Sequence, residues 1–151
     1  MINEFLDKLN GGALLTAVKE NGEINTMTVS WGGVGVLWGR QVAFIFVRPQ
    51  RHTFTFTEGT CKMSLSFFDG GKDILAFCGT KSGRDIDKIS ACGLKYILDD
   101  GYPVFDDAKY TLKLEKIYSD TIKNSGFVDT EYLKWYKNND FHTMYVCEIR
   151  G

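Results

Sequence analysis

Proline and histidine are scarce in this chain of 151 residues, and an excess of either charge is missing altogether. Eighteen Lys plus Arg stand against nineteen Asp plus Glu, a formal net charge of −1. That balance excludes the broad basic face that sequence-independent nucleic-acid binding needs, and it gives no long-range attraction to acidic membranes. No apolar run approaches the roughly 20 residues that cross a bilayer. The opening stretch, MINEFLDKLN, lacks the basic and apolar regions of a signal peptide. Cys61, Cys78, Cys92 and Cys147 lie far apart, with no C-x-x-C pair, and the two histidines, His52 and His142, complete no metal quartet. Free thiols without an export signal lead us to expect a cytoplasmic protein with no metal site.

Catalytic signatures are missing as well. Ser64 and Ser66 sit in strand-like stretches without the glycine-flanked elbow of a reactive serine. There is no G-x-x-x-x-G-K-S/T loop, and Gly32, Gly33 and Gly35 do not make the dinucleotide pattern. We therefore assign no catalytic residue. Any anion must be captured locally, by a few cations and backbone amides.

Aromatic residues are abundant: eleven Phe, seven Tyr and three Trp. With sixteen glycines and two prolines they describe a strand-rich chain with glycine-based turns, long enough for one domain spanning residues 1–151. Strands are predicted at 13–18, 24–31, 41–47, 63–68, 103–105, 110–118 and 141–149. An Asn21-Gly22 hairpin joins the first two, and the second carries a polar face. A short helix is expected over 3–9, one or two turns capped by Asp73, a helix carrying Ile86, Ile89 and Cys92 and stopped by Gly93, and an amphipathic helix from a Thr130 cap to Tyr136. Residues 52–58 alternate like a strand, yet Pro49 and Gly59 would equally bracket a helix. The glycines at 32, 33 and 35 interrupt the second strand, where the backbone either turns or is closely approached. A mostly antiparallel barrel is the economical arrangement of these elements.

Three segments share a theme. Asn25–Trp31 sets small hydroxyls along one side of a strand that ends in an indole. Arg48-Pro49-Gln50-Arg51-His52-Thr53 places two guanidinium groups, suited to forked hydrogen bonds with phosphate, after a buried strand. In Cys78–Lys88, a Ser82-Gly83 turn precedes a helix whose free N–H groups and dipole would favour an anion, with Lys88 one turn in. Each also has a plain structural reading: solvated hydroxyls, arginines paired with surface acids, or a capping box. Together they suit a ligand with a phosphate at one end and a flat polar ring at the other.

In this order, N-x-M-T-x-S-W-G, F-V-R-P-x-R-x-T and C-G-x-x-S-G-R-D-x-D-K resemble the flavin reductase-like, FMN-binding split-barrel family, and most of all its flavoredoxin-type branch. The likeness runs from about Thr16 to Leu94, and the ending Asp140–Tyr145 also fits. It implies a mainly β, six-stranded antiparallel split barrel of Greek-key type with short flanking helices, paired as a homodimer with FMN near the interface. It also implies a helix at 52–58. The implied cofactor-binding residues are Thr26, Met27, Thr28, Ser30 and Trp31 along the flavin ring, and Val47, Arg48, Arg51 and Thr53 toward ribityl and phosphate. Cys78, Gly79, Ser82 and Lys88 complete the set in the phosphate loop. The stretch Gly32–Gly39 replaces a shorter connection found in many relatives. Trp31 and Trp38 are candidates for bordering the ring, for core, or for interface.

The activity so implied is that of an FMN-dependent oxidoreductase taking a hydride from NADH or NADPH and passing electrons to flavin or another acceptor. A flavoredoxin-like electron carrier without its own NAD(P)H activity is the alternative, and a barrel that has lost flavin is a third. Because the cofactor supplies the redox chemistry, the lack of an acid–base signature is expected.

Overall fold

The computed structural model describes residues 2–151. Helix α1 (Ile2–Asn10) leads through two glycines to the hairpin β1 (Ala13–Val18) and β2 (Ile24–Val29), whose register pairs Leu15 with Met27. An edge strand β3 (Gly32–Leu37) turns back into β4 (Arg40–Val47). Helix α2 (His52–Glu58), strand β5 (Lys62–Phe67), and helices α3 (Lys72–Thr80) and α4 (Lys88–Ala91) follow. Strands β6 (Tyr96–Asp99) and β7 (Tyr102–Phe105) form a separate hairpin. The long strand β8 (Tyr110–Thr121), bulged between Lys116 and Tyr118, and β9 (Thr143–Ile149) complete the order, with two short 3-10 turns between them.

Seven strands join into one antiparallel sheet in the order β2-β1-β5-β8-β9-β4-β3. Its edges, β2 and β3, do not pair, which leaves the split of an open barrel. No helix among the described residues is long and apolar enough to cross a membrane.

Alternation along the strands sorts the interior. Ala13, Leu15 and Ala17 of β1, Met27 and Val29 of β2, and Ala43, Ile45 and Val47 of β4 share one core cluster. Leu14, on the opposite face of β1, joins Leu75 and Cys78 of α3, Ile89 of α4 and Phe105 of β7 in a second. Helices α3 and α4 therefore cover the face of β2 that bears its hydroxyls. Thr26 is fully buried and bonds Thr16 Oγ1 at 3.0 Å, while Thr28 donates to the Leu75 carbonyl. Part of this polar face is therefore internal: Thr26 is satisfied within the sheet and Thr28 by a helix carbonyl, while Ser30 stays exposed at the strand end.

Other differences have local causes. Gly32–Leu37 is a strand, since the long β4 offers it a free ladder edge. Its first residue is a true close approach: Gly32 has φ +151°, and a Cβ there would lie 2.5 Å from the Phe44 carbonyl oxygen. Gly71, at φ 71°, occupies the N-cap of α3, and Asp73 sits inside the first turn. Asp87 caps α4 by accepting from Ser90 N, so Ile86 lies outside that helix. Asp129 caps the Thr130–Trp135 segment, which is a 3-10 helix rather than an α-helix. Strand β6 is exposed along its whole length, so it carried no periodic signal. Residues 52–58 are helical, as the resemblance implied.

Candidate functional site

The open side of the barrel gathers the ends of several elements. The chain leaves β2 through Ser30 and Trp31, and leaves β4 through Arg48 to reach α2. Helix α3 ends nearby in the turn Lys81–Ile86, where Ser82 O accepts from Asp85 N at 3.1 Å and Ser82 Oγ accepts from Arg84 N at 3.2 Å. The connection from β8 to β9 lies across the same side.

Two cavities meet there at Arg51. One, of about 140 Å³, is walled by Met27, Thr28, Ser30, Trp31, Phe46, Arg48, Arg51 and His142. The next, of about 240 Å³, is walled by Gln50, Arg51, His52, Gly79, Thr80, Lys81, Ser82 and Arg84. Residues from all three sequence segments thus line two adjoining cavities that share Arg51. Thr26, Val47, Thr53, Cys78 and Lys88 do not contribute to these walls. Val47 is fully buried core. Thr53 accepts a bond from Asn25 Nδ2 at 3.0 Å. Cys78 is buried, and its carbonyl accepts from Lys88 Nζ at 3.0 Å and from Arg51 Nη2 at 3.3 Å. Lys88 therefore reaches the site as a buried charge beneath the loop.

The helix expected to begin at the Ser82-Gly83 turn starts instead at Lys88 and is four residues long. Anion-binding capacity at this end comes from side chains. Among the described residues, Arg51, Lys81, Arg84 and Lys88 enter none of the ion pairs. Burial lowers the Arg51 pKa. Burial, and then the charge of Arg51, bring Lys88 down to about 8. Burial followed by the charges of Arg84, Lys19 and Lys88 also lowers His52, whose Nδ1 is buried without a partner. Burial thus comes first in all three shifts, and neighbouring positive charge adds to it at His52 and Lys88.

Arg48 behaves differently. Its Nη1 donates to Asp140 Oδ2 at 2.9 Å, its Nη2 donates to the Trp135 carbonyl at 2.9 Å, and its guanidinium lies 5.0 Å from the Tyr136 ring centre. Gln50 Nε2 adds a 2.8 Å bond to the same carboxylate oxygen. With both terminal nitrogens engaged, Arg48 clamps the β8–β9 connection over the cleft.

That clamp brings in residues the sequence reading gave no role. His142 Nδ1 lies 2.7 Å from the Tyr136 hydroxyl, and the imidazole packs edge-on against Trp31 at 5.5 Å. Burial, then the charge of Arg48, depress its pKa to about 4, so it faces the cavity neutral at pH 7. A histidine beside a strand start has no distinguishing spacing. Arg84, in contrast, stands inside the quoted Ser-Gly-Arg-Asp motif and was legible as a third cation.

His142 has a measurable consequence. The unfolded chain takes up this proton near pH 6.5, whereas the folded chain does so only near 4. Between those values the unfolded state binds more protons, so stability falls on acidification, by about 3 kcal/mol at full extent. His142→Gln is expected to flatten this part of the curve, measured by urea unfolding between pH 4 and 7. An unaltered slope would contradict the assignment.

No family model matches the sequence, and no curated protein matches it. Solved structures do match in shape. An FMN-binding protein from Thermus thermophilus, with bound 1-cyclohex-2-enone, superposes with a TM-score of 0.71 at 22% identity over 93% of this chain and 67% of that one. Flavoredoxin of Desulfovibrio vulgaris (Miyazaki F) gives 0.71 at 15% identity over 93% and 67%. The styrene monooxygenase flavin reductase of Pseudomonas putida S12 gives 0.66 at 17% identity over 94% and 77%. The chain spans about two thirds of the length of the first two. In architecture, strand order and the split between its sheet edges, this chain has the fold of the flavin reductase-like, FMN-binding split-barrel proteins.

Proposed function

We propose that this chain binds FMN in the cleft that meets at Arg51, and that it works as an oxidoreductase taking a hydride from NADH or NADPH and passing electrons to flavin or another acceptor. One observation carries the reading: Arg51, Lys81 and Arg84 line the same cavity as Ser82, Lys88 is buried behind it on the Cys78 carbonyl, and among the described residues none of the four is paired with a carboxylate. A phosphate ester supplies the missing counterion. The unpartnered Nδ1 of His52 adds a polar group at the same end. The adjoining cavity, with Thr28, Ser30, Trp31 and His142, suits the polar edge and flat face of a ring. The similar proteins support it by their own descriptions, as an FMN-binding protein, a flavoredoxin and a flavin reductase.

When bound, FMN supplies hydride acceptance and electron release. The chain's part is positioning. Arg51, Ser82 and Arg84 would hold the phosphate, Thr28, Ser30 and Trp31 would border the ring, and neutral His142 would offer a hydrogen-bonding nitrogen without adding charge. Arg48 would keep the β8–β9 connection closed over them. A homodimer belongs to the reading, supported by the exposed apolar side chains Val34, Val36 and Trp38 on and beside edge strand β3.

The equal superposition on flavoredoxin keeps a second reading in view, an electron carrier with no useful nicotinamide site. Purified protein is expected to be yellow, or to quench added FMN fluorescence, and to bleach anaerobically with NADH or NADPH at catalytically competent rates. Colour that persists with both nucleotides would favour the carrier. Protein that fails to bind added FMN would overturn the proposal.

A further inference from the structure

Trp31 is a wall shared by two spaces. On one side is the cleft just described, and on the other is a larger cavity of about 580 Å³, lined chiefly by Trp31, Phe127, Tyr132, Trp135, Tyr136 and Lys123. The rings are ordered against one another: Trp31 meets Trp135 edge-on at 5.1 Å, and Phe127 meets Tyr136 at 6.1 Å. Small-molecule sites commonly span about 300–1,000 Å³ and are lined by aromatic side chains with few polar groups. The space is therefore of ligand size.

Its chemistry narrows the ligand. The faces of indole and phenol rings are electron-rich and attract flat, electron-poor rings and the positive edges of other rings. Lys123 is the one charged residue in the wall, enough to donate to a carbonyl oxygen but too little to neutralise the pyrophosphate of a dinucleotide. We infer that this cavity binds the second substrate, a flat, uncharged one- or two-ring carbonyl compound of the quinone class, with Trp31 between it and the cofactor cleft. The inference rests on the FMN reading above. The overall exchange balances: quinone, NAD(P)H and one proton give hydroquinone and NAD(P)+, with two electrons moving from nicotinamide to quinone.

Duroquinone is a suitable probe because its ring carries no free position for attack by the exposed Cys61 thiol. Equilibrium dialysis against the FMN-loaded protein would measure its affinity, and flavin fluorescence would measure FMN affinity separately. Trp135→Ala and Tyr132→Ala are each expected to weaken duroquinone binding at least tenfold, while the FMN affinity of Tyr132→Ala stays within twofold. Adenosine monophosphate is expected not to compete. If FMN binds but duroquinone shows no saturable binding, or binds the variants as well as the parent, the inference fails and the FMN reading stands. If FMN affinity falls in step with duroquinone affinity in Tyr132→Ala, the cavity holds part of the cofactor and the inference fails. If duroquinone does not bind and Trp135→Ala converts a dimer to a monomer, a second copy fills the cavity, and the inference fails. If the protein binds no FMN at all, the underlying reading fails and the second-substrate role falls with it.

Discussion

Replacing Arg51 with alanine is expected to weaken FMN binding by roughly 10- to 100-fold, the range set by losing one charge-assisted hydrogen bond to phosphate. Arg51 lines both cavities. Among the described residues its guanidinium makes one hydrogen bond, the long 3.3 Å contact to the Cys78 carbonyl. No carboxylate pairs with it among the described residues, so alanine removes attraction for an incoming anion without orphaning a partner acid. Arg48 is the instructive contrast. Its positive charge is already balanced by Asp140 at 2.9 Å, and its second nitrogen holds the Trp135 carbonyl. Flavin fluorescence titration at fixed ionic strength measures the Arg51→Ala effect. An affinity unchanged within a factor of two would remove Arg51 from the phosphate site.

The difference between these two arginines shows where sequence reading stops. Both stand in one six-residue segment, and both were read as phosphate ligands because a guanidinium after a buried strand suits that purpose. What separates them is Asp140, 92 positions from Arg48 and brought to it by the pairing of β4 with β9. Local pattern carries no information about which distant acid will neutralise which cation. Lys88 is a similar case. The resemblance makes it a phosphate ligand, and in the fold it is 2% exposed, its ammonium bonded to the Cys78 carbonyl. The backbone segments were more legible. Apolar runs and turn residues located β1, β4, β5 and β9 because burial on one or both faces leaves a direct trace in side-chain type. Strand β6 left none, since all four of its residues are exposed and its backbone pairs with β7. Strand β3 was hidden for a related reason. Its glycines weaken intrinsic strand preference, and it forms because β4 presents an unpaired edge.

Lys88 also provides the second large effect, this one on pH dependence. A lysine in the unfolded chain keeps its proton to about pH 10.5, whereas burial and the neighbouring Arg51 let folded Lys88 release it near 8. Between those values the unfolded state binds more protons, so stability rises with pH, and the full difference is worth about 3 kcal/mol. Two thiols oppose this at higher pH. Burial pushes Cys78 and Cys147 up to about 12 from an ordinary 9.0, so the folded state keeps those protons longer and stability falls above pH 9. The unliganded protein is therefore expected to hold its stability from pH 8 to 9, where the Lys88 gain offsets the first loss from the thiols, and to lose it above pH 9, whereas Lys88→Met should decline from pH 8 onward. A bound phosphate reverses the electrostatics. An anion beside Arg51 favours the charged ammonium behind it, raises the Lys88 pKa, and draws a proton from solution as it binds. Calorimetry of FMN binding at pH 9, in buffers of different ionisation enthalpy, should register net proton uptake in the parent, at most about one per site, and none in Lys88→Met. Equal uptake in both proteins would mean that Lys88 does not sense the phosphate. In that case the buried ammonium is only a brace for the Cys78 carbonyl, and Arg51, Ser82 and Arg84 must hold the anion without it.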